Sequence, residues 1–400
     1  LATTSLQKVT RDGGLAGPTG LMIVDEAHRV RDAASEGNKA LRGVDAKKRL
    51  LLTASPTYNH PVDLSSLVNI AAGAHVLPTD KRTFEGKYVN HLTVNPGFVD
   101  RVFRGVKPGA RSELKNTEEL AAQLSKWVDY HANAPGGDFP TRIDEEVLVP
   151  LSSKQEDVYN TLLEKAPLHI RHKVRSGLPP SKSEAKDLNA FATGARQAQL
   201  SPHVYGDGQN IDTAHATKQR EAFSRLQAAI AKNPEHRALV YSNYTGAGLA
   251  PYQKLLQEHK IPHALFTGDL KAADREQAVR DYNAGVIKAL LVSSAGGEGL
   301  DLKGTRQIQI LEPHFNDEKL KQVIGRGIRY KSHEHLPEDQ RNVRVEQYLS
   351  TIPQGQIAKF FRRTPDMSAD QYLQQLAKDK EALNTQLRGV LESAQAQHGG

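Results

Sequence analysis

Hydrophobic residues change rhythm along this chain in a way that lays out its elements. Leu21-Met22-Ile23-Val24 is a short continuous apolar run ending in Asp25-Glu26, and Leu50-Leu51-Leu52 is a second, ending in Thr53-Ala54-Ser55-Pro56. Runs of this kind predict strands buried on both faces of a parallel sheet, the second stopped by Pro56. Residues 57–145 are mixed. Asn116 or Thr117 caps a predicted helix with Leu120, Leu124, Trp127 and Val128 on one face, and Ala134-Pro135-Gly136-Gly137 punctuates its end. From 147 to about 235 the pattern is helical, interrupted at Ser176-Gly177-Leu178-Pro179-Pro180-Ser181, and reads as a helical connector with an exposed excursion. From 238 it becomes a strict alternation. Apolar strand candidates lie at 238–241, 263–266, 289–292, 307–311 and 343–348, with helical patterns at about 247–259, 271–283 and 317–329. That alternation predicts βαβ units around a parallel sheet. Beyond 351 come Pro353, a basic Phe360-Phe361-Arg362-Arg363, and a capping box at Ser368-Ala369-Asp370-Gln371 that opens a helix carrying Leu373, Leu376, Leu383, Leu387 and Leu391.

Composition narrows the classes. The length of 400 residues suits two or three domains of about 150. With 25% charged and 38% hydrophobic residues, the chain is not collagen-like, coiled-coil or wholly disordered. No apolar run approaches the roughly 18 residues of a membrane span, and no signal-peptide pattern opens the chain. The absence of Cys excludes disulfides and Cys-ligated zinc or iron–sulfur sites, and fits a reducing compartment. Lys and Arg number 53 against 46 Asp and Glu, a net charge of +7 that suits a polyanionic partner or solubility alone. The first residue is Leu1, as in a processed product or a fragment.

Three constellations carry candidate chemistry. Asp25-Glu26-Ala27-His28 ends a predicted strand, where open α/β sheets place ligands. There the first carboxylate can hold Mg²⁺ on nucleotide phosphates and the second can orient an attacking water; the alternative is an acidic loop. In Gln322-Val323-Ile324-Gly325-Arg326-Gly327-Ile328-Arg329, a helical reading puts Gln322, Arg326 and Arg329 on one face, suited to charge developing on a transferred phosphoryl group. A solvated basic face is the alternative, but it leaves Gly325 and Gly327 unexplained. Third, Ser293-Ser294-Ala295-Gly296-Gly297-Glu298-Gly299-Leu300-Asp301 follows a strand and lets backbone N–H groups face an anion, or is a simple turn. Gly268-Asp269 is a weaker candidate. The pairs His169/His172 and His333/His335 lack Cys or an HExxH pattern and read as solvated or hydrogen-bonded. Trp127 reads as core, and Arg171, Lys173 and Arg175 as a solvated helix face or a phosphate contact.

In order, DEAH, TASP, YSNY, TGD, GGEGLDL and QVIGRGIR form a specific sequence of motifs. It resembles superfamily-two DEAH-type helicases and translocases, and more narrowly their Swi/Snf-like branch. Phe139-Pro140 with Val147-Leu148-Val149-Pro150-Leu151-Ser152 and Gln155 resembles that branch's connector, while Glu312-Pro313-His314-Phe315-Asn316, Lys331-Ser332-His333-Glu334-His335 and the Ser-Ala-Asp-Gln-Tyr-Leu tail resemble viral and phage members. The resemblance implies an α/β fold of two RecA-like parallel-sheet lobes, the first incomplete, with a helical connector and tail. It divides the chain at 1–145, 146–235, 236–350 and 351–400. It implies ATP and Mg²⁺ as cofactors, nucleic acid (DNA first) held by its backbone as partner, and a prokaryotic or virus-infected cytoplasm or a virion as location.

The same resemblance assigns residues. Asp25 coordinates Mg²⁺, Glu26 acts on the hydrolytic water, and His28 couples them to Thr53 and Ser55. Arg326 and Arg329 are fingers on the γ-phosphate with Gln322 beside them, and Gly299 and Asp301 contact nucleotide. Ser242, Asn243, Thr267, Gly268, Ser293 and Ser294 line the nucleic-acid track. The family's GxxxxGK[ST] phosphate loop is missing from this sequence. Gly13-Gly14-Leu15-Ala16-Gly17-Pro18-Thr19-Gly20 lacks the Lys and runs into a strand, and Gly86-Lys87 is followed by Tyr88. The expectation is therefore the C-terminal portion of a larger ATPase, without appreciable turnover by itself. The rivals are a non-catalytic nucleic-acid scaffold or virion component, and the motor subunit of a restriction or defence complex.

Overall fold

The computed structural model describes residues 3–15, 17–54, 60–96, 108–131, 138–206, 210–294, 300–314, 317–353 and 366–396. Ser55, Gly296, Gly299, Asn316 and Phe360-Phe361-Arg362-Arg363 lie outside the described residues. The chain forms two compact units, one of Leu1–Thr93, Ala110–Ala134 and Lys378–Gly400, the other of Val94–Gly109 and Pro135–Ala377. Residues 146–235, 236–350 and 351–377 all fall within the second of these units.

The first unit contains α1 (Leu6–Arg11), β1 (Thr19–Val24), α2 (Glu36–Arg42), β2 (Ala46–Leu51), α3 (Val62–Ala72), α4 (Lys81–Tyr88), β3 (Val89–Val94), β4 (Gly109–Leu114) and α5 (Thr117–Leu124). β1 and β2 pair in parallel, Val24 beside Leu51. Their expected burial on both faces is corrected here. Met22 packs with Val30, Leu41 and Ile70, whereas Leu21, Ile23 and Leu50 are 51%, 53% and 45% exposed, because the helices cover one face. α5 ends at Leu124, three residues short of Trp127, so Trp127 leaves the Leu120/Leu124 face and is 43% exposed rather than core.

The second unit contains β5 (Thr141–Pro150), α6 (Ser153–Lys165), α7 (Leu168–Ser176), α8 (Ala185–Leu200), α9 (Thr217–Lys232), β6 (Ala238–Tyr241), α10 (Ala250–Glu258), β7 (His263–Phe266), α11 (Ala272–Asn283), β8 (Ala289–Val292), β9 (Gln307–Ile310), α12 (Asp317–Gly327) and β10 (Asn342–Thr351). Its sheet has the order β5-β10-β9-β6-β8-β7, with every pair parallel. β6, β8 and β9 are buried at every position, as central strands of a covered parallel sheet should be. The α/β alternation read from residue 238 onward is the observed architecture.

Residues 147–150, expected to open a helical connector, instead end the edge strand β5. Val147 and Val149 are buried while Leu148 between them is 57% exposed, the period-two pattern of a half-covered strand. The buried polar residues of β9 are satisfied locally. Gln309 accepts from Tyr252 at 2.7 Å, and Glu346 accepts from Gln307 at 2.7 Å and Tyr348 at 2.6 Å.

The last helix, α13 (Ala369–Ala396), begins with the predicted capping box: Ser368 and Gln371 exchange backbone–side-chain bonds of 3.1 Å. Its Tyr372 and Leu376 join the core of the second unit, and Leu387, Val390 and Leu391 that of the first.

Candidate functional site

In the first unit the acidic pair follows β1 directly. Both carboxylates are exposed, and the Glu26 N–H donates to Asp25 Oδ1 at 2.8 Å. Glu26 adopts φ 50°, ψ 44°, a left-handed conformation that costs a residue with a side chain roughly 1–2 kcal/mol. The kink is held by the Ala27 N–H donating to Leu52 O at 2.9 Å, which anchors the turn to the end of β2. His28 Nδ1 lies 3.2 Å from Glu26 Oε2 and 3.3 Å from Thr53 Oγ1. The structure therefore brings Glu26, His28 and Thr53 together. Hard carboxylate oxygen at Asp25 suits Mg²⁺, which is usually held by one or two carboxylates together with substrate phosphates. No group of three His, Asp or Glu able to hold a metal by itself occurs among the described residues.

In the second unit, two separate motifs meet. Arg329 Nη1 lies 3.2 Å from Asp301 Oδ1, and the Leu302 N–H donates to Arg326 O at 3.4 Å. The helical reading of this segment needs one correction. α12 ends at Gly327, so Gln322 and Arg326 share its surface while Arg329 lies beyond the helix, in the chain that follows. Gly327 now has a reason: a Cβ there would sit 3.0 Å from Ile308 and 3.1 Å from Thr305, so the helix end approaches the sheet closely. At Gly325 a Cβ would meet nothing.

Three adjacent strands of this sheet carry the remaining candidates at their C-terminal ends: Ser242 and Asn243 after β6, Ser293 and Ser294 after β8, Thr267 and Gly268 after β7. Gly268 and Ser294 are exposed, Asn243 and Thr267 half-buried. Ser293 is buried, its N–H donating to Phe266 O at 3.2 Å. Ser242 corrects the expectation most clearly. It has no exposed surface, and its hydroxyl donates to Glu312 Oε2 at 2.8 Å, so it braces the turn from within.

Further residues stand out in the structure. The Asn283 carboxamide clamps the Asp301 loop, donating to Asp301 O at 3.0 Å and accepting from the Lys303 N–H at 2.8 Å. Glu312, which the sequence places only within a resemblance, is fully buried against Ser242 and Asn243. Lys173, read as part of a basic run, is a buried partner of Glu184 at 2.6 Å and is open neither to solvent nor to a phosphate. Lys87 of the Gly86-Lys87 echo pairs with Glu119 at 2.6 Å within α4–α5 surroundings. His333 is buried and hydrogen-bonded, its Nε2 2.6 Å from Thr305 O. An even spacing of polar residues gives no signal for these partners, which come from elements far apart in sequence.

Comparison with known proteins identifies the family. The SNF2-related domain matches residues 7–204 and the helicase conserved C-terminal domain matches residues 221–331. Carrying both in that order, the chain is a Swi/Snf-like member of helicase superfamily two. It is 29% identical over 373 residues to an Acanthamoeba polyphaga mimivirus protein named as a candidate ATP-dependent RNA helicase, covering 90% of this chain and 73% of that one. It is 24% identical over 343 residues to CHROMATIN REMODELING 25 of Arabidopsis thaliana, covering 76% of this chain and 36% of the plant protein. With the African swine fever virus termination factor NPH-I homolog it shares 24% identity over 459 aligned residues, 97% of this chain and 64% of the viral one. The chain spans less than two thirds of the last two relatives' own length.

Proposed function

We propose that this chain supplies the hydrolytic carboxylates and the arginine face of an ATP-driven motor that moves along nucleic acid, with duplex DNA as the first substrate to test. The observation that carries the reading is the meeting of Asp301 and Arg329 at 3.2 Å, residues 28 apart that the motif order assigns to one nucleotide. Glu26 orients the attacking water, and its strained backbone, fixed by Ala27 and Leu52, keeps that carboxylate at the strand end. Asp25 would hold Mg²⁺, whose charge offsets that of the phosphates. Arg326 and Arg329 stabilise charge developing on the transferred phosphoryl group, Arg329 exchanging Asp301 for phosphate as the nucleotide arrives. His28 passes the state of Glu26 to Thr53. Asn243, Thr267, Gly268 and Ser294 contact phosphate backbone and not base edges, so binding is independent of sequence and weakened by salt. DNA is favoured because of the SNF2-related domain and a chromatin-remodelling relative. The viral relatives point to an infected cell as the setting.

In the native gene product that contains this chain, Glu26→Gln is expected to keep nucleotide and nucleic-acid binding while abolishing turnover, and Arg329→Ala to do the same. Normal hydrolysis by the Glu26→Gln protein would overturn the assignment. The lack of a GxxxxGK[ST] loop in these residues favours a second reading, a nucleic-acid scaffold. A scaffold binds duplex equally with and without ATP in a filter-binding assay; a motor does not.

A further inference from the structure

The turn that leaves β6 is held from below by one side chain. Glu312, two residues past β9, accepts the Ser242 hydroxyl at 2.8 Å on Oε2, and on Oε1 the Asn243 N–H at 2.6 Å and the Asn243 carboxamide at 3.1 Å. Three donors thus converge on a carboxylate with no exposed surface. Ser242 Oγ in turn accepts the Tyr244 N–H at 3.1 Å, so the contact reaches every residue of the turn. Directly after it, Thr245 and Gly246 are exposed at the start of a helical run that continues into α10. Gly248 in this run is backed so closely by Ser242 Oγ and Cβ that no side chain fits there. A helix start with exposed N–H groups favours phosphate, provided its direction is fixed.

Burial of this completeness is costly for a carboxylate unless the surroundings hold it. Arg196 of α8 donates to Pro313 O at 3.3 Å and lies 5.3 Å from the Tyr244 ring centre. Lys218 of α9 also faces Glu312, while itself bonded to buried Asp370 at 2.6 Å. The groups around Glu312 are therefore two cations, the Tyr244 phenol and, behind Lys218, one further carboxylate. Desolvation outweighs the Asn243 N–H, Lys218, Ser242 and Arg196 and pushes the carboxyl up to about 7. The desolvation of this carboxylate is offset in part by the three donors it fixes in the turn.

We propose that Glu312 is a positioning residue for nucleic-acid binding: it sets the Ser242–Tyr244 turn, and with it Asn243 and the helix start at Thr245, to meet the phosphate backbone. This rests on the nucleic-acid reading above. Binding of a fluorescein-labelled 20-base-pair duplex to the 400-residue chain tests it, with thermal unfolding and amide exchange at Asn243 measured alongside. Glu312→Ala is expected to weaken binding about tenfold and to speed Asn243 exchange. Glu312→Gln keeps an acceptor for Asn243 and a partner for Ser242, and is expected to bind within about twofold of the wild type. Ser242→Ala, which leaves Asn243 its acceptor, gives an intermediate loss of about threefold and serves if Glu312→Ala does not fold. Lys173→Ala, at a buried pair outside the turn, lowers stability without changing affinity. Wild-type affinity in folded Glu312→Ala, or in Ser242→Ala, overturns the inference alone. Absence of binding by the wild type overturns the nucleic-acid reading, and the inference with it.

Discussion

Single residues show how little the sequence says about which charges are buried. Lys173, Lys218, Glu312 and Asp370 look like surface residues in the chain and are all buried. Their partners lie 11 to 152 positions away, beyond any local pattern. Lys218→Ala leaves Asp370 as an uncompensated buried charge and should cost about 3–5 kcal/mol in denaturant unfolding. Arg142→Ala, which breaks an exposed pair with Asp144, should change stability by less than about 1 kcal/mol. Glu312 yields a prediction with a definite sign. Its carboxyl titrates near 7 in the folded chain against an ordinary 4.5, so the folded state binds the proton more tightly. The stability this contributes is complete below about pH 4.5 and is lost as pH rises through about 7. Relative to wild type, Glu312→Gln should flatten that decline, a difference of up to about 3 kcal/mol between pH 4.5 and 8. An identical pH profile for the two proteins would contradict the burial argument.

At the scale of elements, period and punctuation are most informative in the parallel strands of the second unit and at helix starts. β6, β7 and β8 have the ends their apolar runs gave them, and α11 and the start of α13 lie within a residue of their patterns. Half-covered strands were harder. β5 carries Arg142, Asp144, Glu145 and Glu146 among its first six residues, which hides the alternation of Val147 and Val149 behind charge. β1 and β2 show the opposite error, since continuous apolar runs suggest two covered faces and only one is covered. The glycines of α12 separate by environment. Gly327→Ala pushes a methyl group against Ile308 and Thr305 and should destabilise by about 1–3 kcal/mol, whereas Gly325→Ala meets nothing and should stabilise the helix by up to about 1 kcal/mol. Thermal unfolding of both variants distinguishes close packing from simple helix propensity. The candidate site was legible in part for the same reason: DEAH and Thr53 sit at strand ends that sequence can locate, while the support from Asn283 and Glu312 depends on folding.

For the whole molecule, the motif order and the two domain matches define a Swi/Snf-like chain, and the candidate residues are divided between its two compact units. Asp25, Glu26, His28 and Thr53 belong to one unit; Asp301, Arg326, Arg329 and the strand-end candidates Asn243, Thr267, Gly268 and Ser294 belong to the other. Backbone recognition predicts that log affinity for duplex falls linearly with log salt and is the same for unrelated sequences, measurable by fluorescence anisotropy from 50 to 200 mM salt, roughly the range over which phosphate contacts are lost. No helix among the described residues is long and apolar enough to cross a membrane. The central claim, that hydrolysis is coupled to nucleic acid, is tested most directly by steady-state ATP hydrolysis of the native gene product against increasing duplex DNA. The account predicts a rate that rises to saturation with duplex of any sequence and vanishes in Glu26→Gln; a rate unchanged by duplex and by single strands would contradict it.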